Sequence, residues 1–442
     1  MRAIALLIVA LSALSAQAQV TPVSLLNAYD SSLLNDPAYQ VATFDYHSSQ
    51  QEASIGIAGL LPQINASSRV GETKQLREQD RNTFNNTGDA SAANGSVALT
   101  ARQALFDKAK MAFYEQSKAR EKAGSALYDD ASQELFARVA EAYFDVARQD
   151  NELKLATQQK TAIEGLVKQT RRLLEAGDGT ITDTEEAQAR LDLVKAQEIE
   201  FQARMRAALH KLSGRAGLVV EQISSLQDSL PTAAMLQAPE NLLYWQQKAL
   251  QAAPKLGERR ASIEAAEAEL KLQKAGNYPT LSLVSEISTL SQDSRDPNVQ
   301  HQSSYYVGLA MELPIYSGGG VNASINKSQY ALSGAIAQYD NGAQQISEDI
   351  ERDYLGVVSG YDKCKALQTA VKSNQRALDS AEKGYQAGVR STVDILNAQQ
   401  VLYAAKRDLL NSKLLMLQSY VSLHVQTGQM HRGVLEQVQR LF

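Results

Sequence analysis

Glu175-Ala176-Gly177-Asp178-Gly179-Thr180-Ile181-Thr182-Asp183-Thr184-Glu185-Glu186-Ala187-Gln188-Ala189-Arg190-Leu191 recurs 211 positions later as Gln386-Ala387-Gly388-Val389-Arg390-Ser391-Thr392-Val393-Asp394-Ile395-Leu396-Asn397-Ala398-Gln399-Gln400-Val401-Leu402. Gly177 pairs with Gly388, Asp183 with Asp394, Ala187 with Ala398 and Leu191 with Leu402. Working outward, Tyr143 in RVAEAYFDV answers Tyr354 in DIERDYLGV at the same offset. Further out, Phe106 in ALFDKAKMA answers Tyr316 in PIYSGGGVNA, and Pro62 in LLPQINAS answers Pro279 in NYPTLSLV. A repeat of this length means two structurally similar halves. The expected division is a leader at 1–18, a first repeat at 19–214, a linking segment at 215–240, a second repeat at 241–428 and a tail at 429–442.

Each half mixes two periodicities. In the first, a helical stretch from about Val23 to Ile57 ends near Gly56 and Gly59. After Pro62, Ile64, Ala66, Ser68 and Val70 alternate with Gln63, Asn65, Ser67 and Arg69, and Val97, Leu99, Ala101 and Leu105 restore the alternation up to Phe106. The polar run 77–95 between them reads as a loop, so the whole is a hairpin of two strands. In the second half Leu281, Leu283 and Ile287 share a face, and a polar loop follows from Gln292 to Ser303. Then Tyr305, Val307, Leu309, Met311 and Leu313 alternate with Tyr306, Gly308, Ala310 and Glu312. The stretch from Tyr306 to Tyr316 would span roughly 25 Å at about 3.3 Å per residue and a tilt near 40°, the height of the apolar band of an outer-membrane barrel. Spacing alone leaves that reading open beside a soluble hairpin with core aromatics.

Between the hairpins the chain reads as helix for far longer than a compact domain accommodates. From Lys108 to Glu175 there is no Pro and only Gly124 and Gly165 as breakers. If continuous, that is about 100 Å. The stretch from Asn322 to Gln386 matches it. Ile395, Leu402, Leu409, Met416 and Leu423 fall every seven residues, with Ala398, Ala405, Ser412 and Ser419 three after each of the first four. This is a coiled-coil seam with small residues that let helices approach. Val357, Cys364, Val371, Leu378 and Tyr385 form the facing seam, so Cys364 reads as a core residue.

With 44% hydrophobic and 21% charged residues the composition is that of a folded protein, and a net charge of −5 over 442 residues argues against a nucleic-acid partner. Arg2, the apolar run Ala3–Leu14 and Ala16-Gln17-Ala18 read as a secretory leader, too short for a membrane helix. A single Cys permits no intrachain disulfide. His47, His210, His301, His424 and His431 are scattered, and Gly318-Gly319-Gly320 lacks the Lys and hydroxyl of a phosphate loop. No catalytic residue, cofactor or metal ligand is expected. Gly318–Gly320 reads as a bend where strand becomes helix.

Two hairpins give four strands, which cannot close a barrel; in a membrane several chains must share one. Here the chain resembles the TolC-like outer-membrane export channels over nearly all of its length. The resemblance rests on the doubled layout, on Asn35-Asp36-Pro37 followed by Leu60-Leu61-Pro62-Gln63, on Leu105-Phe106-Asp107, on Leu313-Pro314-Ile315-Tyr316-Ser317-Gly318-Gly319-Gly320, and on Gly384-Tyr385-Gln386-Ala387-Gly388-Val389-Arg390-Ser391-Thr392-Val393-Asp394. It implies a mainly α fold with a β-barrel part. Three chains would build a 12-stranded outer-membrane barrel continuous with a long periplasmic α-helical barrel. LLPQ and LPIYSGGGVNAS look most like the outer-membrane components of type I secretion systems. The implied partners are two further copies of the chain, a periplasmic adaptor, an inner-membrane ABC exporter or other pump, and the lipid of a Gram-negative outer membrane. Ala104 stands where that family commonly has Pro. Small-molecule efflux is the alternative within the class. A soluble periplasmic coiled-coil scaffold is the alternative outside it, and it leaves the paired strands unexplained.

By the same resemblance, the repeated turns would form a closed periplasmic aperture. Thr182 and Asp183 on one hairpin and Tyr385 and Arg390 on the other would hold it, and Asp394 would line the constriction; Asn397 replaces a second acid common in the family. Beside this stands a local reading. Thr180-Ile181-Thr182-Asp183 and Ser391-Thr392-Val393-Asp394 both fit the capping box, in which the acid serves the helix start. One carboxylate oxygen can cap while the other faces a pore, so both readings remain open.

Overall fold

A computed structural model describes residues 22–75, 90–227, 241–293 and 301–442. The leader, most of both strand-connecting loops and the second half of the linking segment lie outside the described residues. The first repeat begins with α1 (Leu25–Asn35), α2 (Pro37–Ser49) and α3 (Glu52–Ala58). The single helix expected from Val23 to Ile57 is therefore broken. Asp36 sits at φ −70°, ψ 115° because the residue before Pro37 is pushed out of the helical region. Asp36 then caps α2, accepting the Tyr39 N–H at 2.9 Å.

Strands β1 (Gln63–Gln75) and β2 (Ala90–Phe106) follow, then α4 (Lys108–Ala176), a helix of 69 residues and about 104 Å. Asp107 caps α4 through the Lys110 N–H, so one residue separates strand from helix. The return helix is α5 (Ile181–Ala216). The second repeat has α6 (Leu242–Ala252), α7 (Pro254–Ala275), β3 (Thr280–Asp293), β4 (His301–Glu312), α8 (Gly320–Gln386, 67 residues) and α9 (Thr392–Gln426). The loops are shorter than composition suggests, because the polar ends of β2, β3 and β4 remain in the ladder. Among the described residues no helix is long and apolar enough to cross a membrane.

The four strands form one antiparallel sheet in the order β1-β2-β3-β4. Below it the helices form a wall. α4 runs antiparallel to α7, tied by Lys122 to Glu264 (2.6 Å), Lys271 to Glu115 (2.8 Å) and Gln116 to Glu269 (2.8 Å). Further down α4 exchanges α7 for α5, where Lys160 donates to Glu198 at 2.7 Å. α8 likewise packs on α6 and α7 above and on α9 below. The α8–α9 seam is the one read from the heptads: Val357, Cys364, Leu378, Ile395, Leu402, Met416 and Leu423 are all buried. Gly356 and Gly360 make it close, since a Cβ on Gly356 would lie 2.4 Å from Ser419 Oγ and one on Gly360 3.1 Å from Met416 Cβ.

The main core lies midway along the long helices, where Leu135, Val139, Tyr143 and Val146 meet Leu25, Leu212, Met416 and Leu417. The tail, residues 429–442, belongs to it. Residues Arg432–Gln439 form α10 and bury Val434, Leu435 and Val438. Phe442 stacks on Phe144 at 5.9 Å and meets Tyr143 edge-on at 5.1 Å. Val434, Leu435, Val438 and Leu441 fall on one helical face, so the segment is amphipathic and its period was there to be read.

Candidate functional site

Directly paired residues in a sheet share a face. Ala66 pairs with Leu99, Leu99 with Ile287, and Ile287 with Tyr305. Gln103 pairs with Leu283, and Leu283 with Leu309. One face of the whole sheet thus carries Ile64, Val70, Val97, Leu99, Leu283, Ile287, Val307, Leu309 and Met311, all solvent-exposed in the single chain. The other face carries Asn65, Thr100, Glu286 and Tyr306 in one row. There Arg102 Nε donates to Ser282 Oγ at 3.3 Å, and the Ser288 and Ser304 hydroxyls meet at 2.6 Å. Tyr305, rather than Tyr306, shares the apolar face. Because β4 ends at Glu312, Tyr316 lies beyond the strand. The register shifts between Ala104 and Phe106, and Phe106 pairs with Leu281.

At the opposite end lie the two repeated turns. Gly177 (φ +84°) and Gly388 (φ +75°) take the left-handed conformation that ends α4 and follows α8. In the first turn Asp183 N–H donates to Thr180 Oγ1 at 3.1 Å, and the Thr180 hydroxyl donates to Asp183 Oδ2 at 2.6 Å. In the second, a full capping box forms. Asp394 N–H donates to Ser391 Oγ at 3.3 Å, and Ser391 N–H donates to Asp394 Oδ2 at 2.9 Å. The Ser391 backbone and hydroxyl bonds, then the Arg390 charge, hold the Asp394 carboxyl below the usual carboxylate range.

The expected residues fall into two separate groups. Thr182 and Asp183 sit at one tip; Tyr385, Arg390 and Asp394 sit at the other. Among the described residues of one chain, Arg390 reaches Asp394 at 3.6 Å and has no ion pair with Asp183. Tyr385 packs half-buried against the tip core of Ile163, Leu166, Leu191, Leu378 and Ile395. Two features had no signal in the sequence. A Cβ on Gly384 would lie 2.6 Å from Arg390 Cγ, so this Gly gives the Arg390 stem its path. Arg190 Nη2 donates to Gln400 Oε1, joining α5 to α9.

A four-stranded sheet, apolar on one face and ending in unpaired edges, stands at one end of helices about 100 Å long. This defines one share of an assembled membrane barrel with a helical extension. The chain belongs to the outer membrane efflux protein family, whose model matches residues 28–218 and 245–429. It is 30% identical over 438 residues to the proteases secretion protein PrtF of Dickeya chrysanthemi, covering 98% of this chain and 94% of that one. It is 28% identical over 420 residues to the alkaline protease secretion protein AprF of Pseudomonas aeruginosa, covering 94% and 86%. The fold matches a crystal structure of CusC with a TM-score of 0.79 at 19% identity, covering 93% of each chain. The fold is that of the trimeric TolC-like channels, mainly helical with four antiparallel strands per chain. Family members work with adaptor proteins and inner-membrane pumps. The chain is a Gram-negative outer-membrane protein with a large periplasmic tunnel portion, and its function is export through that tunnel.

Proposed function

We propose that three copies of this chain form the outer-membrane exit of a type I protein secretion system, joined through a periplasmic adaptor to an inner-membrane ABC exporter. The observation that carries the assembly is the sheet: one face rich in exposed apolar side chains, and edges on β1 and β4 that lipid cannot satisfy but a neighbouring copy can. What favours secretion over small-molecule efflux is the near full-length similarity to PrtF and AprF, both described as protease secretion proteins. The protein provides a conduit, and no catalysis is ascribed to it. We further propose that the tips form the periplasmic gate. In the trimer, Asp183 and Thr182 of one hairpin would face Tyr385 and Arg390 of another, while Asp394 both caps α9 and lines the opening.

The test is complementation. Cells that hold the inner-membrane exporter and adaptor of a protease secretion system, but lack its outer-membrane component, should release protease into the medium when this chain is expressed. Restored resistance to small toxic compounds without protease release would favour the efflux reading.

A further inference from the structure

We propose that the rim of the sheet nearest the helices docks anionic phospholipid of the leaflet on the periplasmic side. An apolar hook at Leu313–Tyr316 enters the boundary between headgroups and acyl chains, and lysines at the same level bind the lipid phosphates. The helical part is periplasmic, so the strand ends that join it meet that leaflet. The rim starts where the ladder stops. Pro62 stands immediately before β1 and Pro314 two residues after β4, and neither has an N–H to donate to a ladder. Leu313-Pro314-Ile315-Tyr316 therefore leaves the sheet without extending the edge that a neighbouring copy would pair. Ile315 is 94% exposed and Tyr316 86%. They follow Leu309 and Met311 of the apolar row, so the exposed apolar surface runs on past the strand end. At the other strand ends Leu61, Phe106 and Tyr278 are exposed as well. Aromatic and apolar side chains gathered where strands end are placed to sit among headgroups.

The charge at this level is of one kind. Lys108 opens α4 two residues after Phe106, Lys110 follows it, and Lys274 lies in the last turn of α7, six residues before Thr280. Lys108 Nζ stands 3.4 Å from the centre of the Tyr278 ring, so ammonium and aromatic meet at one point of the rim. Further down the wall, lysines between α4 and α7 are matched by glutamates: Lys271 by Glu115 and Lys122 by Glu264. Among the described residues, Lys108, Lys110 and Lys274 have no such partner in the chain. The rim carboxylates are otherwise placed. Asp107 accepts the Lys110 N–H at the start of α4, and Glu312 lies in the polar row of the sheet. An ammonium at a bilayer surface is drawn to anionic lipid, and each such lysine should favour it over zwitterionic lipid about fivefold.

The experiment places the full chain, in its heat-modifiable form, in phosphatidylethanolamine vesicles with and without phosphatidylglycerol. Tyr316→Trp is compared with wild type, whose single Trp245 is buried. The added emission should be quenched by lipids brominated near the headgroup and little by lipids brominated at the chain end. Native mass spectrometry of wild type taken from the mixed vesicles should show phosphatidylglycerol retained over phosphatidylethanolamine. Lys108→Gln/Lys110→Gln/Lys274→Gln should lose that preference and still give heat-modifiable protein. Absence of quenching places Tyr316 in water or under the neighbouring copy, and refutes the hook. Equal retention of the two lipids by wild type refutes the phosphate sites, however the variant folds. An unchanged preference in the lysine variant refutes them too. If wild type does not enter vesicles at all, the membrane reading of the sheet falls and the docking surface with it.

Discussion

The Arg390 guanidinium lies 3.6 Å from the Asp394 carboxylate, in the same turn whose Ser391 N–H donates to that carboxylate. Arg390 is therefore not held by one fixed partner. It has an in-chain acceptor of modest strength, exposed to solvent, which the proposed gate would exchange for a carboxylate on a neighbouring chain. An exposed pair of this kind is worth little and is screened by salt. That suits a contact meant to be broken by a docking partner.

The gate prediction follows. Tyr385→Phe with Arg390→Ser should raise single-channel conductance without lowering the melting temperature of the trimer. Conductance equal to wild type would remove both residues from the gate. Asp394→Ala separates the two roles of that carboxylate. Loss of the cap lowers melting, and loss of a pore charge reduces cation preference; the pair of measurements assigns each. Because the folded Asp394 is more acidic than usual, its contribution is present at neutral pH. It is lost as pH falls below the ordinary carboxylate range.

The sheet faces make a sharper contrast. Leu309 lies in the apolar row and Ala310 in the polar one. Leu309→Arg should cost about 2–4 kcal/mol near the bilayer midplane and impair assembly, whereas Ala310→Arg should be tolerated. Yield of heat-modifiable folded protein in detergent measures both, and equal tolerance would overturn the face assignment.

Gly356 predicts a helix-seam defect. Ala is favoured over Gly inside a helix by about 1 kcal/mol. Yet a Cβ at 356 would sit 2.4 Å from Ser419 Oγ and 2.9 Å from Ser419 Cβ. Overpacking of about 1–3 kcal/mol should win, so Gly356→Ala should lower the melting temperature. Ser419→Gly should restore part of the loss.

His424 predicts an acid response. Burial, and secondarily His431, push its pKa down to about 4, with Trp245 edge-on at 5.2 Å and Tyr420 at 4.7 Å. The unfolded chain binds a proton near pH 6.5 and the folded chain does not until about pH 4, so stability falls as pH drops through that window. The loss from this residue should approach about 3 kcal/mol. His424→Gln should flatten that part of a melting-versus-pH curve.

Much of this was legible because it is periodic. The heptads gave most of the α8–α9 seam, with Val371, Tyr385 and Leu409 only half-buried, and strict alternation gave the sheet faces, as Met416 and Leu309 show. The Ser391–Asp394 capping box was equally plain, since capping is local, whereas at Thr180–Asp183 the return bond comes from the Thr180 hydroxyl instead of its backbone N–H. What escaped was tertiary or conformational. The break at Asp36 needed Pro37 weighed against an otherwise helical run. Helix α10 was overlooked although Val434, Leu435, Val438 and Leu441 carry a helical period. Gly356 and the Arg190–Gln400 bond depend on which helices meet, which no local pattern encodes. The gate residues were placed by resemblance, and within one chain they divide between two tips.

The mass of the folded protein tests the central claim most directly. Detergent-corrected light scattering on the solubilised, heat-modifiable form should give three chains per particle, because only neighbouring copies can satisfy the edges of β1 and β4. A monomer that keeps its full strand content in lipid would contradict the account.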